Sequence, residues 1–351
     1  MKTEHILIIR FSAIGDVAMT VPVVQSLARQ YPHLRITMLS KPFARCMFEN
    51  LAPNVGFMEA DIKREYRGVT GLNALYRRLV AKNFTAVADF HSVLRSEYLR
   101  MRFHLDQYKV AHINKHRAGR KRLTQPNNKV LEQQPSPFEN YADVLAQLGY
   151  PVKVEFKSIF PEQLGGNLRL LPPSIGMKRG FEQWIGVAPF AAHKGKVYPL
   201  EKTEKVIASI IRKHPSCRIF LFGGGGEEKL QMNEWSRKYK NCTNASDALG
   251  SLYKELVLMS HLDVMLSMDS ANMHLASLVN TPVVSVWGAT HPLAGFMGWG
   301  QNANNAVQVD LDCRPCSIYG NKPCLRGDYA CLNRIEPDMI TDRLELILGR
   351  K

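Results

Sequence analysis

The sequence predicts an α/β protein of two Rossmann-like units with parallel sheets, and three observations carry that prediction. Short apolar runs of strand length alternate with longer stretches of helical period. The alternation stops at a segment rich in Pro and Gly, then restarts. Small residues follow several of the apolar runs, where a buried strand would hand over to a helix. Such repetition makes parallel sheets with right-handed crossovers. Two copies predict two domains facing a cleft, with ligands at the carboxyl ends of the strands.

In chain order, HILIIR (5–10), RITMLS (35–40), TAVADF (85–90) and YKVAHI (108–113) read as buried parallel strands. DVAMTVPVVQSLARQYP (16–32) and GLNALYRRLVAKN (71–83) read as helices between them. FENYADVLAQLGY (138–150) is a further helix with Gly149 at its end. Residues 161–183 have no clear period and read as a linker. The domain boundary is set within it, giving domains 1–165 and 166–351. WIGVAP (184–189), RIFLFG (218–223), DVMLSM (263–268) and VVSVWG (283–288) are the strands of the second half. Helices are expected near 200–214, 227–239, 251–261 and 271–280, and a last one over 337–348 ends at Gly349.

The bulk numbers fit a globular chain with a sizeable core: 45% hydrophobic and 22% charged residues over 351 positions. The net charge is +15. Residues 1–160 carry 24 Lys and Arg against 13 Asp and Glu, so most of the surplus lies in the first half. That field attracts anions: nucleic acid, phosphorylated substrates or an anionic membrane face. No apolar run approaches the ~20 residues of a membrane span. The start does not have the form of a secretory signal, so a cytoplasmic protein is expected.

Four turns could carry chemistry. FSAIGDVAMT (11–20) leaves a strand through Ser12, Ala13 and Gly15 and puts Asp16 where a helix begins. Asp16 is either a helix cap or a chemical group. APFAAHKGKVYP (188–199) offers His193, Lys194 and Lys196, either a solvated basic loop or a point charge for phosphate. FLFGGGGEEKL (220–230) matches neither the dinucleotide fingerprint nor a Walker loop. It is either a flexible turn or a close backbone approach to a nucleotide, with Glu227 accepting from ribose hydroxyls. MLSMDSANMHLASLVNTPVVSVWGATHP (265–292) ends a strand at Asp269 and Ser270 and then opens a helix. Its N-terminal amides and dipole suit a diphosphate, while Asp269 and Ser270 can also simply cap it. His274 lies about one turn in, and Gly288-Ala289-Thr290 would open at the same sheet edge.

Two further features stay open. The basic stretch over 100–123 contains Arg102, Lys115, Arg117, Arg120, Lys121 and Arg122 with one acid, Asp106, and Arg95 lies just upstream. It is either a solvated face or an anion site. Cys313, Cys316, Cys324 and Cys331 cluster near the end. Their spacing allows a tetrahedral zinc knob, but the gap after the first pair is short for one, and reduced or redox-sensitive thiols are the alternative.

These residues resemble the ADP-heptose:lipopolysaccharide heptosyltransferases of glycosyltransferase family nine. SAIGD (12–16), KVYP (196–199), DSANMHLASLVNTPVVSVWGATHP (269–292) and CRPCSIYGNKPCLRGDYACL (313–332) are similar to family segments in type and order. Ala271 stands where the family pattern has Gly, and Tyr198 where it has Trp. The resemblance implies the GT-B fold and an inverting transfer that needs no metal and no cofactor. It implies an N-terminal domain for a lipid-linked anionic oligosaccharide and a C-terminal domain for the nucleotide sugar, ADP-heptose. By position, Asp16 is the general base, Lys196 steadies the diphosphate, and Asp269, Ser270, Ala271 and His274 form the donor turn. Glu227 falls at the ribose and Gly250 near the adenine edge.

Ser12, Arg95, Lys115, Arg117 and Arg120 are the acceptor candidates, and the same basic surface would hold the enzyme peripherally at the cytoplasmic face of the inner membrane. A different nucleotide sugar and a different surface glycan form the nearer alternative. A non-catalytic nucleic-acid-binding protein is the distant one. No recognised nucleic-acid motif is present, and 100–123 has few aromatics for stacking, so nucleic acid is not the expected partner.

Overall fold

The computed structural model describes residues 4–161 and 164–349; positions 162 and 163 of the expected linker lie outside the described residues. The chain divides into two compact units. One is Met1–Lys115 with Pro135–Phe156, the other His116–Gln134 with Lys157–Lys351.

In the first unit the elements run β1 (His5–Ile9), α1 (Ile14–Ala18), α2 (Val21–Gln30), β2 (Arg35–Ser40), α3 (Arg45–Phe48), β3 (Val55–Glu59) and α4 (Gly68–Val80). They continue with β4 (Ala86–Asp89), α5 (Leu94–Leu105) and β5 (Lys109–His112); α6 (Arg117–Thr124) leaves this unit and α7 (Pro137–Gln147) returns to it. The five strands lie in the order β3-β2-β1-β4-β5, and every neighbouring pair is parallel. Leu7, Ile9 and Val87 pack under Leu75 and Leu79 of α4 and Leu99 and Phe103 of α5. The order reverses at β1 and β4, so the crevice for ligands opens beyond Ile9 and Asp89.

The second unit runs β6 (Trp184–Ala188), α8 (Leu200–Lys213), β7 (Arg218–Leu221), α9 (Glu227–Lys238), β8 (Cys242–Asn244), α10 (Ala245–Leu249) and α11 (Leu252–Met259). It ends with β9 (Val264–Met268), α12 (Ala271–Leu278), β10 (Val283–Val286), β11 (Ala306–Val307), α13 (Ala330–Asn333) and α14 (Pro337–Leu348). Its six strands are also parallel, ordered β11-β10-β9-β6-β7-β8. The reversal falls between β6 and β9, beyond Ala188 and Met268. Both sheets thus have the doubly wound topology.

Several expectations are corrected. The helix read over 16–32 is two helices, because Thr20 turns its hydroxyl onto the Val17 carbonyl and Pro22 cannot donate within a continuous helix. The units part at 156/157 rather than 165/166. Residues 116–134 depart furthest from expectation: Gln134 N–H donates to Leu293 O at 2.8 Å, and Lys129 Nζ donates to Asp312 O at 3.0 Å. Those contacts tie the segment to the second unit, although it lies between two parts of the first in sequence.

Candidate functional site

At the reversal point of the first sheet, Arg10 follows β1. Its Nη1 donates to Phe90 O at 2.7 Å, and its Nη2 pairs with Asp16 Oδ2 at 2.8 Å. The same Asp16 oxygen accepts the Ala13 N–H at 3.1 Å. Asp16 is the third residue of α1, so it caps the first turn in the manner of a capping box while its side chain stays 36% exposed. Cap and exposed carboxylate are therefore one group. Ser12 is half-buried just before it. Across the reversal point, buried Asp89 accepts the N–H groups of His91 and Ser92 at 2.9 Å and pairs with Arg100 at 3.3 Å.

His91 completes this floor. Phe11 N–H donates to its Nδ1 at 3.4 Å. Burial, reinforced by Arg10 and Lys115, pushes its pKa down to about 3, so the imidazole is neutral. A depressed histidine stabilises the fold fully above the unfolded value of 6.5, and that stability is lost as pH falls toward 3. The span corresponds to roughly 4–5 kcal/mol. The thermal midpoint should therefore fall more steeply between pH 6.5 and 4 than in His91→Gln; parallel curves would contradict this.

The predicted acceptor residues separate. Lys115 Nζ donates to Ser92 O at 2.8 Å beside the β4 turn. Arg95 is exposed in the first turn of α5. Half-buried Lys41 is pushed down by desolvation and by the charges of Lys63 and Arg95, which makes this edge of the unit a cationic cluster. Lys41 and Lys63 escaped the sequence reading, because 28 and more residues of chain separate them from the β4 turn. Arg117 and Arg120, expected on the N-terminal domain, belong to the second unit. Arg120 is buried, with its guanidinium 4.7 Å over the Phe296 ring and Nη1 3.5 Å from Tyr319 Oη. It is a packed residue, and Arg117 remains exposed on α6.

In the second unit, Lys196 closes a 3-10 turn after β6, and Asp269 follows β9. The two flank the reversal point and pair at 2.9 Å with side chains 16% and 4% exposed. The alternative reading, capping of α12 by Asp269 or Ser270, has no such bond among the described residues. Asp269 turns to Lys196, Ser270 Oγ meets Ser267 Oγ at 3.2 Å, and no side chain caps the helix. Ala271 opens α12, and His274 is buried one turn in. Tyr198 is fully buried with its hydroxyl donating to Ile335 O at 2.9 Å.

Three backbone segments close around Lys196. A Cβ on Gly288 would lie 2.6 Å from Gly195 O, and one on Gly320 would lie 2.6 Å from Lys196 Cγ. Only glycine permits that approach. Buried Arg314 fastens the loop: its Nη2 donates to Trp287 O at 3.1 Å and Thr290 O at 2.9 Å, and its Nε to Gly288 O. The N–H groups of Cys316 and Ser317 reach Ala289 O. The cysteine-rich segment is thus a brace for the 288–290 turn. Nothing local in the sequence marks Arg314 for this.

The cysteines are free thiols, and burial raises Cys316 and Cys331, the latter to about 11. Among the described residues no group of three or more His, Cys, Asp or Glu is arranged to hold a metal ion.

At the outer strands, Gly250 ends α10 at φ +65° with no atom within 4 Å of a Cβ position. Ser246 Oγ accepts the Gly223 N–H at 3.1 Å and tethers the glycine-rich loop to α10. Glu227 is exposed at the start of α9, whereas its neighbour Glu228 accepts the Gly224 N–H at 2.6 Å. Glu255, half-buried beside Ser246, is raised to about 7 by desolvation.

Comparison with known proteins gives the family and the fold. The profile of Glycosyltransferase family 9 (heptosyltransferase) matches residues 72–324. The lipopolysaccharide core heptosyltransferase OpsX of Haemophilus influenzae is 22% identical over 292 residues, covering 83% of this chain and 80% of that protein. Two solved structures share the fold. A family 9 glycosyl transferase from Veillonella parvula has a TM-score of 0.72 at 17% identity over 100% of this chain and 99% of its own. The E. coli heptosyltransferase WaaC with ADP has a TM-score of 0.68 at 16% identity, over 98% and 99%. The match across well over half of the sequence places the chain in glycosyltransferase family 9, the heptosyltransferases, and makes it a glycosyltransferase.

Proposed function

We propose that the chain transfers a heptose from ADP-heptose to a hydroxyl of a lipopolysaccharide core acceptor, with inversion at the anomeric carbon and without a metal. The observation that carries this reading is the mostly buried Lys196–Asp269 pair at the mouth of α12, whose first amides have no side-chain cap among the described residues. A cation held beside a helix N-terminus is a site for a diphosphate. The OpsX and WaaC relatives support the sugar and the ADP carrier.

In this reading the acceptor oxygen forms a bond to the anomeric carbon as the bond from that carbon to the diphosphate oxygen breaks. The acceptor proton passes to Asp16, and ADP leaves with the bonding pair. Lys196 and the α12 amides take up the negative charge that develops on the leaving group. Asp269 holds Lys196 in place, Gly250 and the loop before Glu227 form the shelf for nucleoside, and Ser270, Ala271 and His274 complete the donor turn. Ser12, Arg95 and Lys115, joined by Lys41 and Lys63, take the anionic groups of the acceptor. The same basic surface holds the enzyme peripherally at the cytoplasmic membrane face.

The nucleic-acid-binding alternative is set aside by the family match. Thermal shifts separate the donor alternatives. ADP and ADP-sugars should raise the melting midpoint at concentrations where UDP and GDP do not. Equal stabilisation by all three nucleotides would reject the adenine assignment.

A further inference from the structure

We propose that the outer face of α5 is the docking surface for an anionic lipid leaflet. A helix on the surface of a globular unit carries one apolar stripe, turned to the core. At about 100° per residue, α5 carries two. Ser96, Leu99 and Phe103 form the buried one. Leu94, Tyr98, Met101 and Leu105 fall within about 60° of arc on the opposite side. Leu94 is 85% exposed, Met101 50% and Leu105 66%. Tyr98 is half-buried and anchors the stripe through its hydroxyl, which donates to Asn73 Oδ1 of α4 at 2.7 Å.

Charge identifies the occupant. Arg95 and Arg102 border the stripe, and Arg67, Arg77 and Arg78 are exposed along the neighbouring α4. Arg102 is held by Asn73 and lies 4.6 Å over the Tyr76 ring, so its charge is fixed beside the stripe. The nearby acids are engaged: Asp106 accepts from Tyr76, Glu97 accepts from Ser92, and Glu65 lies 4.0 Å from Arg78. Exposed aliphatic side chains rimmed by arginines fit the interface of an anionic leaflet, where apolar residues sink below the headgroups and each basic residue adds attraction. A symmetric second copy would set arginines against arginines. Nucleic acid would find no stacking surface on Leu94, Met101 and Leu105.

The inference deepens the membrane side of the proposed function and rests on it for the acceptor. Leu94 adjoins Arg95, whose charge is felt by Lys41 in the acceptor cluster, so docking would bring leaflet-borne anionic sugars to that cluster.

Co-sedimentation with phosphatidylcholine vesicles, with and without about one third phosphatidylglycerol, tests it. The wild-type protein should sediment with the anionic vesicles at low salt and not with the neutral ones. Leu94→Ser/Met101→Ser/Leu105→Ser should bind at least about tenfold more weakly, with its melting midpoint and ADP binding unchanged. Arg67→Gln/Arg77→Gln should weaken binding and flatten its salt dependence. Undiminished sedimentation of the triple variant would overturn the inference. So would a wild-type dimer that the triple variant dissolves, or RNA binding lost in that variant. Turnover on a delipidated acceptor reports on the proposed function separately: its absence in the wild type strikes that reading alone, and its persistence without vesicle binding strikes only the docking surface.

Discussion

Asp16→Asn should lower kcat by about 10²–10⁴-fold, the range expected for loss of a general base, while ADP affinity stays at the wild-type level. Asn retains a carbonyl oxygen for the Ala13 N–H, so the turn into α1 has its cap. What disappears is the negative charge that faces Arg10 and that, in the proposed function, accepts the proton. Arg10 is buried, and its Nε already has no hydrogen-bond partner among the described residues, so the variant should also melt earlier, by about 1–3 kcal/mol. Asp16→Glu separates the two effects. It keeps an ion for Arg10 but displaces the carboxylate by a methylene, so stability should recover more than turnover does. A kcat within a few-fold of wild type in Asp16→Asn would remove this residue from the chemistry and leave it a cap.

Lys196→Met should have the second largest effect, and on the other substrate. Lys196 and Asp269 are both mostly buried, so removing the cation strands a carboxylate at a cost of about 3 kcal/mol. ADP affinity should fall about 10–100-fold, the equivalent of a charge-assisted hydrogen bond. Adding Asp269→Asn to Lys196→Met removes the stranded charge and should restore most of the stability while ADP still binds weakly. If the double variant regains ADP affinity with its stability, Lys196 acts only by supporting the fold.

Much of the fold was legible because the buried strands are continuous apolar runs. His5–Ile9, Val264–Met268 and Val283–Val286 are buried at every position, as parallel strands covered on both faces should be. Short and marginal strands were not legible: β3 has one buried residue in five, β8 has three residues and β11 has two. Two of the helices that escaped did so for opposite reasons. Apolar residues on two faces erase the single period of α5, and α6 is nearly all polar, with only Leu123 as a buried aliphatic.

The site divides similarly. Asp16, Lys196 and Asp269 follow strand ends in the sequence, so local pattern singled them out as candidates. Arg314 acts on carbonyls 24–27 residues away, and Arg120 is packed by Phe296 and Tyr319, contacts that only the folded chain creates. The Pro- and Gly-rich composition of 161–183 gave no sign that residues 116–134 would join the second unit.

The most direct measurement is a transfer assay with the purified chain, ADP-heptose, a delipidated lipopolysaccharide core acceptor and excess chelator, read by mass and by the anomeric configuration of the product. The account predicts an acceptor heavier by one heptose, with ADP released in equal amount and the configuration inverted. A retained configuration, a strict need for a divalent cation, or heptose transfer undiminished in Asp16→Asn would contradict it.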